Sequence, residues 1–435
     1  MYKYLLAASL LCLSNQSHSQ DLLEIFDLAW QHDPAIHEAE ENRNAIQEAR
    51  PQSLAKLLPT LAITGALNQS RYDTTQTYTS LQLGVQNFWD TSVYLRLSQP
   101  IYHHDYWAQL SQSENQLAQA EAEYASEQQN LLIRTAKAYF GVLSAQSNLE
   151  FAQTEKHSLE YQLKQMKQRL VVGTASITDL QEIQAGFDQI NASEIDAQRK
   201  LEAAKSALAE IIGSMDVELN PLKDDFPLQT PNPNKLQDWL SLAEQNNPVV
   251  IAASNRAEVA RKAVEIQFSG HLPTIDLVGN VGIADTNRPA GLVANSQAVG
   301  VQLNVPIFQG GAVNSKVRQA EHQFESAKQN IDKQRRAAER QTKDAYKGIV
   351  YLISQIEALK SAQQSTKIAV DATGKGLQVG TRTMAEVLTA IRNYARTQRD
   401  HSQARYEYIL SSLSLKQAAG ALTREDLETV NHWLH

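Results

Sequence analysis

The sequence is nearly without cysteine. Its single thiol, Cys12, lies in an apolar stretch at the start of the chain, so the rest can form no disulfide and holds no thiol nucleophile. Leu11 precedes it where a lipid-acceptor cysteine needs a small residue, which excludes that role too. Glycine and proline are scarce, at 18 and 12 of 435 residues, and long stretches have nothing to interrupt a helix. Basic residues are not in excess. The formal net charge of -8 argues against nucleic acid as a partner, which needs a basic face. No unbroken apolar run is long enough to cross a membrane as a helix. There is no nucleophile elbow, phosphate loop or dinucleotide fingerprint, so no enzyme activity and no cofactor is expected. His103-His104-Asp105, with His32 and His37, comes nearest to a metal set, but the spacing completes no ligand sphere and no metal is expected.

What is present begins with an address. Residues 1–19 combine Lys3, an apolar run from Tyr4 to Leu13 and the triplet Ser17-His18-Ser19, the pattern of a secretory signal peptide. An apolar run of this length is too short to span a bilayer.

After residue 19 the chain repeats itself. Asp27–Pro34 (DLAWQHDP) returns as Ser241–Pro248 (SLAEQNNP), and Leu58-Pro59-Thr60 as Leu272-Pro273-Thr274, each 214 positions on. LVVGTASITDLQEI from Leu170 returns as LQVGTRTMAEVLTA from Leu377, 207 positions on. The spacing divides the chain into a first repeat at 20–220, a proline-rich linker at 221–234, a second repeat at 235–422 and a tail at 423–435.

Within each repeat the hydrophobic period switches. From Leu110, every seventh residue through Met166 is apolar or Tyr; the second repeat keeps the same register from Val317 to Leu359. Sustained heptads predict supercoiled helices packed along a seam, here about 70 residues or roughly 105 Å long. Shorter helices are expected near Leu22–Ser53, Thr178–Gly213, Leu236–Gly270 and Thr383–Gly420.

Period-two stretches interrupt the helices. Pro59–Ser70, Thr91–Pro100, Pro273–Ala284 and Ala298–Phe308 read as four strands in two hairpins, 59–101 and 273–308, with loops near Tyr72–Asp90 and Asp285–Gln297. A soluble half-buried sheet would alternate in the same way. Export, strand length and an aromatic cluster (Tyr72, Tyr78, Phe88, Trp89, Tyr102, Tyr106 and Trp107) favour a membrane sheet. Hydrocarbon admits only closed barrels, and four strands cannot close one, so strands that enter lipid require several copies.

Both Val-Gly-Thr triplets read as sharp reversals. Gly173 and Gly380 suit the left-handed residue after a helix, and Ser176–Asp179 and Thr383–Glu386 read as capping boxes opening the next one.

The sequence resembles the TolC family of outer-membrane efflux and secretion ducts. GHLPTIDL (Gly270–Leu277), VPIFQGGAVNSKVRQA (Val305–Ala320), QVGTRT (Gln378–Thr383) and Ile177-Thr178-Asp179 carry the resemblance, over nearly the whole chain from Asp21. The family implies a mostly α fold with a membrane β-barrel: duplicated long-helix hairpins form a trimeric α-barrel, continued by a barrel of twelve strands, four per chain. It implies a homotrimer seated in outer-membrane lipid. A periplasmic adaptor (membrane fusion) protein and an inner-membrane pump of RND, ABC or MFS type are its implied partners. Asp179, Arg382, Glu386 and Gln162 take the roles of a periplasmic gate, and Gly173, Thr174, Gly380 and Thr381 those of adaptor-docking tips. The sequence departs from the family at Leu377, Gly374 and Thr389, where a gate tyrosine, a linking glutamate and a ring aspartate would stand. A trimeric surface adhesin is the alternative from another class, but such chains gather their strands at the C-terminus, not in two inserted hairpins.

Overall fold

A computed structural model of the chain describes residues 19–74, 84–173, 176–214, 217–287 and 292–435. The signal-peptide segment through residue 18, and Thr174 among the tip residues, lie outside the described residues.

The two long heptad runs are single helices, α4 (His104–Val171) of 68 residues and α8 (Ala312–Gln378) of 67. Neither contains proline, so no backbone donor is lost and no ring clashes with the preceding turn. Their partners α5 (Ile177–Ile212) and α9 (Met384–Ala418) follow the two reversals.

Two expected helices are divided. Leu22–Ser53 becomes α1 (Leu22–His32), α2 (Pro34–Gln47) and α3 (Ala49–Ala55); Leu236–Gly270 becomes α6 (Leu236–Asn246) and α7 (Pro248–Phe268), closed by a 3-10 turn over Ser269–His271. The first break in each falls where a proline removes an N–H and pushes the residue before it out of helical geometry. Asp33 and Asn247 occupy those positions, both extended. Asp33 Oδ1 accepts from the Ala35 amide at 2.7 Å, and Asn247 Nδ2 donates to the Ala418 carbonyl at 2.9 Å. The repeated HDP and NNP tripeptides are therefore the same built-in joint.

The chain divides into two compact units, 1–38 with 126–247 and 337–435, and 39–125 with 248–336. In the first, one cluster joins the helices around the reversals: Leu159, Leu163 and Met166 of α4, Ile183 and Ile190 of α5, and Met384, Val387, Leu388 and Ile391 of α9. Leu159 is 1% exposed and Ile183 0%. Burying side chains of this size stabilises by about 1.5–3 kcal/mol each. Elsewhere in this unit α1 packs on α5 and on α10 (Arg424–Asn431), and the Tyr139 hydroxyl donates to the Asn220 carbonyl at 2.8 Å, pinning the start of the linker. Burial raises that phenol well above its usual range, so it stays a donor.

The second unit holds one antiparallel sheet of order β1-β2-β3-β4. Its strands are β1 (Thr60–Thr74), β2 (Gly84–Tyr102), β3 (Thr274–Thr286) and β4 (Leu292–Asn304). All four strands run further towards their hairpin loops than alternation predicted. Pairing continues to Tyr72↔Gln86, Thr74↔Gly84 and Thr286↔Leu292, through segments whose polar residues hide the period. At its other end β4 stops early: Val305 and Ile307, read as strand, lie beyond it, because Pro306 cannot donate to a ladder.

Candidate functional site

The two reversals differ in detail. Gly173 and Gly380 have φ of 75° and 77°, the left-handed region where a side chain is strained. At the second, the Thr381 amide donates to the Gly376 carbonyl at 2.9 Å and the Gly380 amide to Leu377 at 3.2 Å, a complete Schellman closure. Thr383 and Glu386 then form the expected capping box: Thr383 N–H donates to Glu386 at 2.7 Å, and Glu386 N–H to Thr383 Oγ1 at 3.3 Å. At the first reversal Ser176 accepts from the Thr178 amide, at 3.1 Å, rather than from that of Asp179, so Asp179 does not complete the expected box.

Arg382 is committed within its own turn. Its Nη1 lies 2.7 Å from Glu386 Oε1, and its stem crosses Gly376, where an added Cβ would come within 2.6 Å of Arg382 Cγ. Glu386 is held below the usual carboxylate range, chiefly by the Thr383 amide and then by the Arg382 guanidinium. Asp179 is half-buried and forms no ion pair among the described residues; Gln162 is also half-buried, on α4. Of the four predicted gate residues, one chain thus brings together only Arg382 and Glu386. Gly376 was missed by sequence reasoning, although an interior helical glycine that costs about 1 kcal/mol against alanine was a signal.

A recess of about 980 Å³ lies among α4, α5 and α9 in the same unit, lined by Glu155, Arg392, Arg396 and Arg399 among others. Burial pushes the Glu155 carboxyl up, while Arg399 and Arg392 pull it down. The arginines recur at helical spacing on α9, a pattern visible in the sequence but passed over.

The sheet inverts the rule for soluble proteins. Leu61, Ile63, Val93, Leu95, Leu97, Val281, Ile283 and Val299 share one face, and that face is open to solvent: Ile63 is 75% exposed and Val299 80%. Thr64, Ser92, Tyr94, Arg96, Asn280 and Ser296 occupy the other. The aromatic cluster divides between faces. Trp89 and Trp107 are exposed, whereas Phe88 is buried and stacked on Tyr72 at 5.3 Å, and Tyr106 stacks on His103 at 4.4 Å. Tyr78 lies outside the described residues.

The histidines serve joints. His103 Nε2 lies 3.1 Å from Asp276 of β3, His104 Nε2 lies 3.4 Å from Glu265 of α7, and His32 and His37 bond backbone carbonyls. Among the described residues no group of three or more metal-ligating side chains converges.

Against this geometry, known proteins give a consistent answer. The family described as outer membrane efflux protein matches residues 25–214 and 239–421, one span in each repeat. The outer membrane protein TolC of Vibrio cholerae is 34% identical over 430 residues, covering 98% of this chain and 96% of its own. TolC of Escherichia coli is 31% identical over 443 residues, covering 99% and 88%. The crystal structure of the Vibrio cholerae outer membrane protein VceC superposes with a TM-score of 0.79, covering 92% of this chain and 96% of that one, at 18% identity. These are transport proteins rather than catalysts, and the adhesin alternative falls away. The protein resides in the outer membrane, with long helices extending into the periplasm. The chain belongs to the outer membrane efflux protein family and is a homologue of the TolC-like channels of tripartite efflux and secretion systems.

Proposed function

We propose that three copies of this chain close their sheets into one twelve-stranded barrel in outer-membrane lipid and their helical hairpins into a periplasmic α-barrel. The assembly passes drugs or secreted proteins delivered by an inner-membrane pump of RND, ABC or MFS type through a periplasmic adaptor. The observation that carries this reading is the sheet itself: its apolar face is exposed, and strands β1 and β4 are unpaired along their outer edges. Unpaired edges and exposed Leu, Ile and Val together suit hydrocarbon only when the edges close on other copies.

On this reading the two reversals lie at the periplasmic end. Asp179, Arg382, Glu386 and Gln162 form the gate, and Gly173, Thr174, Gly380 and Thr381 the adaptor-docking tips. The Arg382–Glu386 pair supports a division of labour. Glu386 fixes the turn and orients the guanidinium, whose remaining donors are directed at Asp179 of a neighbouring copy. In planar lipid bilayers, the double variant Asp179→Ala, Arg382→Ala raises conductance over wild type. Unchanged conductance would reduce these residues to helix caps.

A further inference from the structure

Arg96 stands alone on the polar face of the sheet. It is the only Lys or Arg on that face among the described strand residues, since Arg71, the other strand cation, points the opposite way, in register with Asn87. Along its own row it is flanked by Ala62 of β1 and Asn280 of β3, with Ala298 of β4 beyond. The rows on either side bring Thr64, Tyr94, Gly282 and Ser296, and Thr60, Ser98, Val278 and Gly300, all neutral.

The acidic residues of this face are distant or engaged. Asp90 is six residues along β2, about 20 Å at the strand rise, and accepts from Ser70 Oγ at 2.9 Å. Asp276, level with Pro100, is about 13 Å away by the same rise and faces His103. What Arg96 does have is an aromatic support. Its guanidinium carbon lies 5.9 Å from the centre of the Tyr94 ring. That ring lies flat on the sheet because the neighbouring strand offers glycine: a Cβ at Gly282 would stand 2.2 Å from Tyr94 Cδ1 and 2.5 Å from the Val93 carbonyl. Gly282 thus lets the Tyr94 ring lie flat, and the ring holds an exposed guanidinium away from any counter-charge.

We infer that Arg96 is a selectivity residue: three copies at one height form a ring of fixed positive charge inside the barrel, which favours anionic solutes and opposes cations. This rests on the proposed closure, which turns the polar face inwards. Low-dielectric walls around a narrow aqueous bore focus the field of a charge ring, and charged rings set ion preference in pores.

The test reads the potential beside the ring in intact cells. In a Cys12→Ala background, Ala62→Cys places a thiol directly across from Arg96. It is labelled with an anionic and a cationic methanethiosulfonate reagent of similar size. The anionic reagent reacts faster, and the anionic-to-cationic rate ratio falls roughly three- to tenfold on Arg96→Gln, as expected for unit charges a few ångströms away in a partly screened bore. Arg96→Lys restores the ratio. A ratio that does not change on Arg96→Gln, with Ala62→Cys labelled normally, overturns the inference and leaves the barrel standing. An Ala62→Cys thiol that is shielded, while Ile63→Cys on the other face reacts, overturns the barrel reading and the inference with it.

Discussion

At the scale of single residues, the second reversal works because one carboxylate serves two neighbours. Glu386 accepts from the Thr383 amide and pairs with Arg382, and both interactions need it ionised. Its proton affinity in the fold is lowered relative to the ordinary value of 4.5. The contribution to turn stability is therefore fully present above pH 4.5 and is lost as pH falls through the lower folded value. Amide hydrogen exchange, corrected for intrinsic rates, should show protection at Thr383 and Glu386 declining in acid in the wild type. In Glu386→Gln, which still accepts but does not titrate, protection should be flat with pH. The same acid-linked decline in both proteins would contradict this assignment. The sequence disclosed the cap, since Thr-x-x-Glu before an apolar run is a local signal. It did not disclose Arg382's choice of Glu386 as its partner within the chain. That choice depends on a four-residue helical spacing and on the bare backbone of Gly376 beneath the arginine stem.

At the scale of elements, the legible features were those written into a period. Heptads without proline gave α4 and α8 nearly to their ends, and strict alternation gave the helix-side part of each strand, overrunning β4 past Asn304. The outer strand segments were hidden because Arg71, Asp73, Gln86, Asn87 and Asp90 mask the period, and only their backbone pairing reveals them. The joints at Asp33-Pro34 and Asn247-Pro248 were legible in principle, since proline excludes the residue before it from the helical region. The hairpin tips carry their own prediction. A Cβ at Gly173 or Gly380 would meet nothing within 4 Å, so a large side chain there projects away from the chain, into the path proposed above for the adaptor. Replacing both with Trp should abolish capture of the adaptor, whereas Asn, which tolerates the left-handed conformation, should preserve it. Undiminished capture by the Trp variant would rule the tips out as the docking surface.

At the scale of the whole molecule, the proposed barrel needs more than one chain. The sheet of one chain has two free edges, and the exposed face carries the side chains that a soluble protein would bury. The alternation in the sequence says which residues share a face. Which face would be open could not be read from it, since a soluble sheet has the same alternation with the opposite burial. The exposed apolar face supports the membrane reading proposed above, and homology to outer-membrane channels along both repeats agrees with it.

The closure itself can be measured covalently. Within one chain β1 and β4 are separated by two strands, about 14 Å at the spacing of a sheet, beyond the reach of a disulfide. Any disulfide joining these edges must therefore link two copies. Cysteine at Ala62 is paired in turn with cysteine at Ser296, Ala298, Gly300 or Gln302, oxidised in outer membranes and resolved without reductant. The account predicts, at one register, a ladder of one, two and three chains that ends at three. Monomer at every register, or a ladder that continues beyond three, would contradict it.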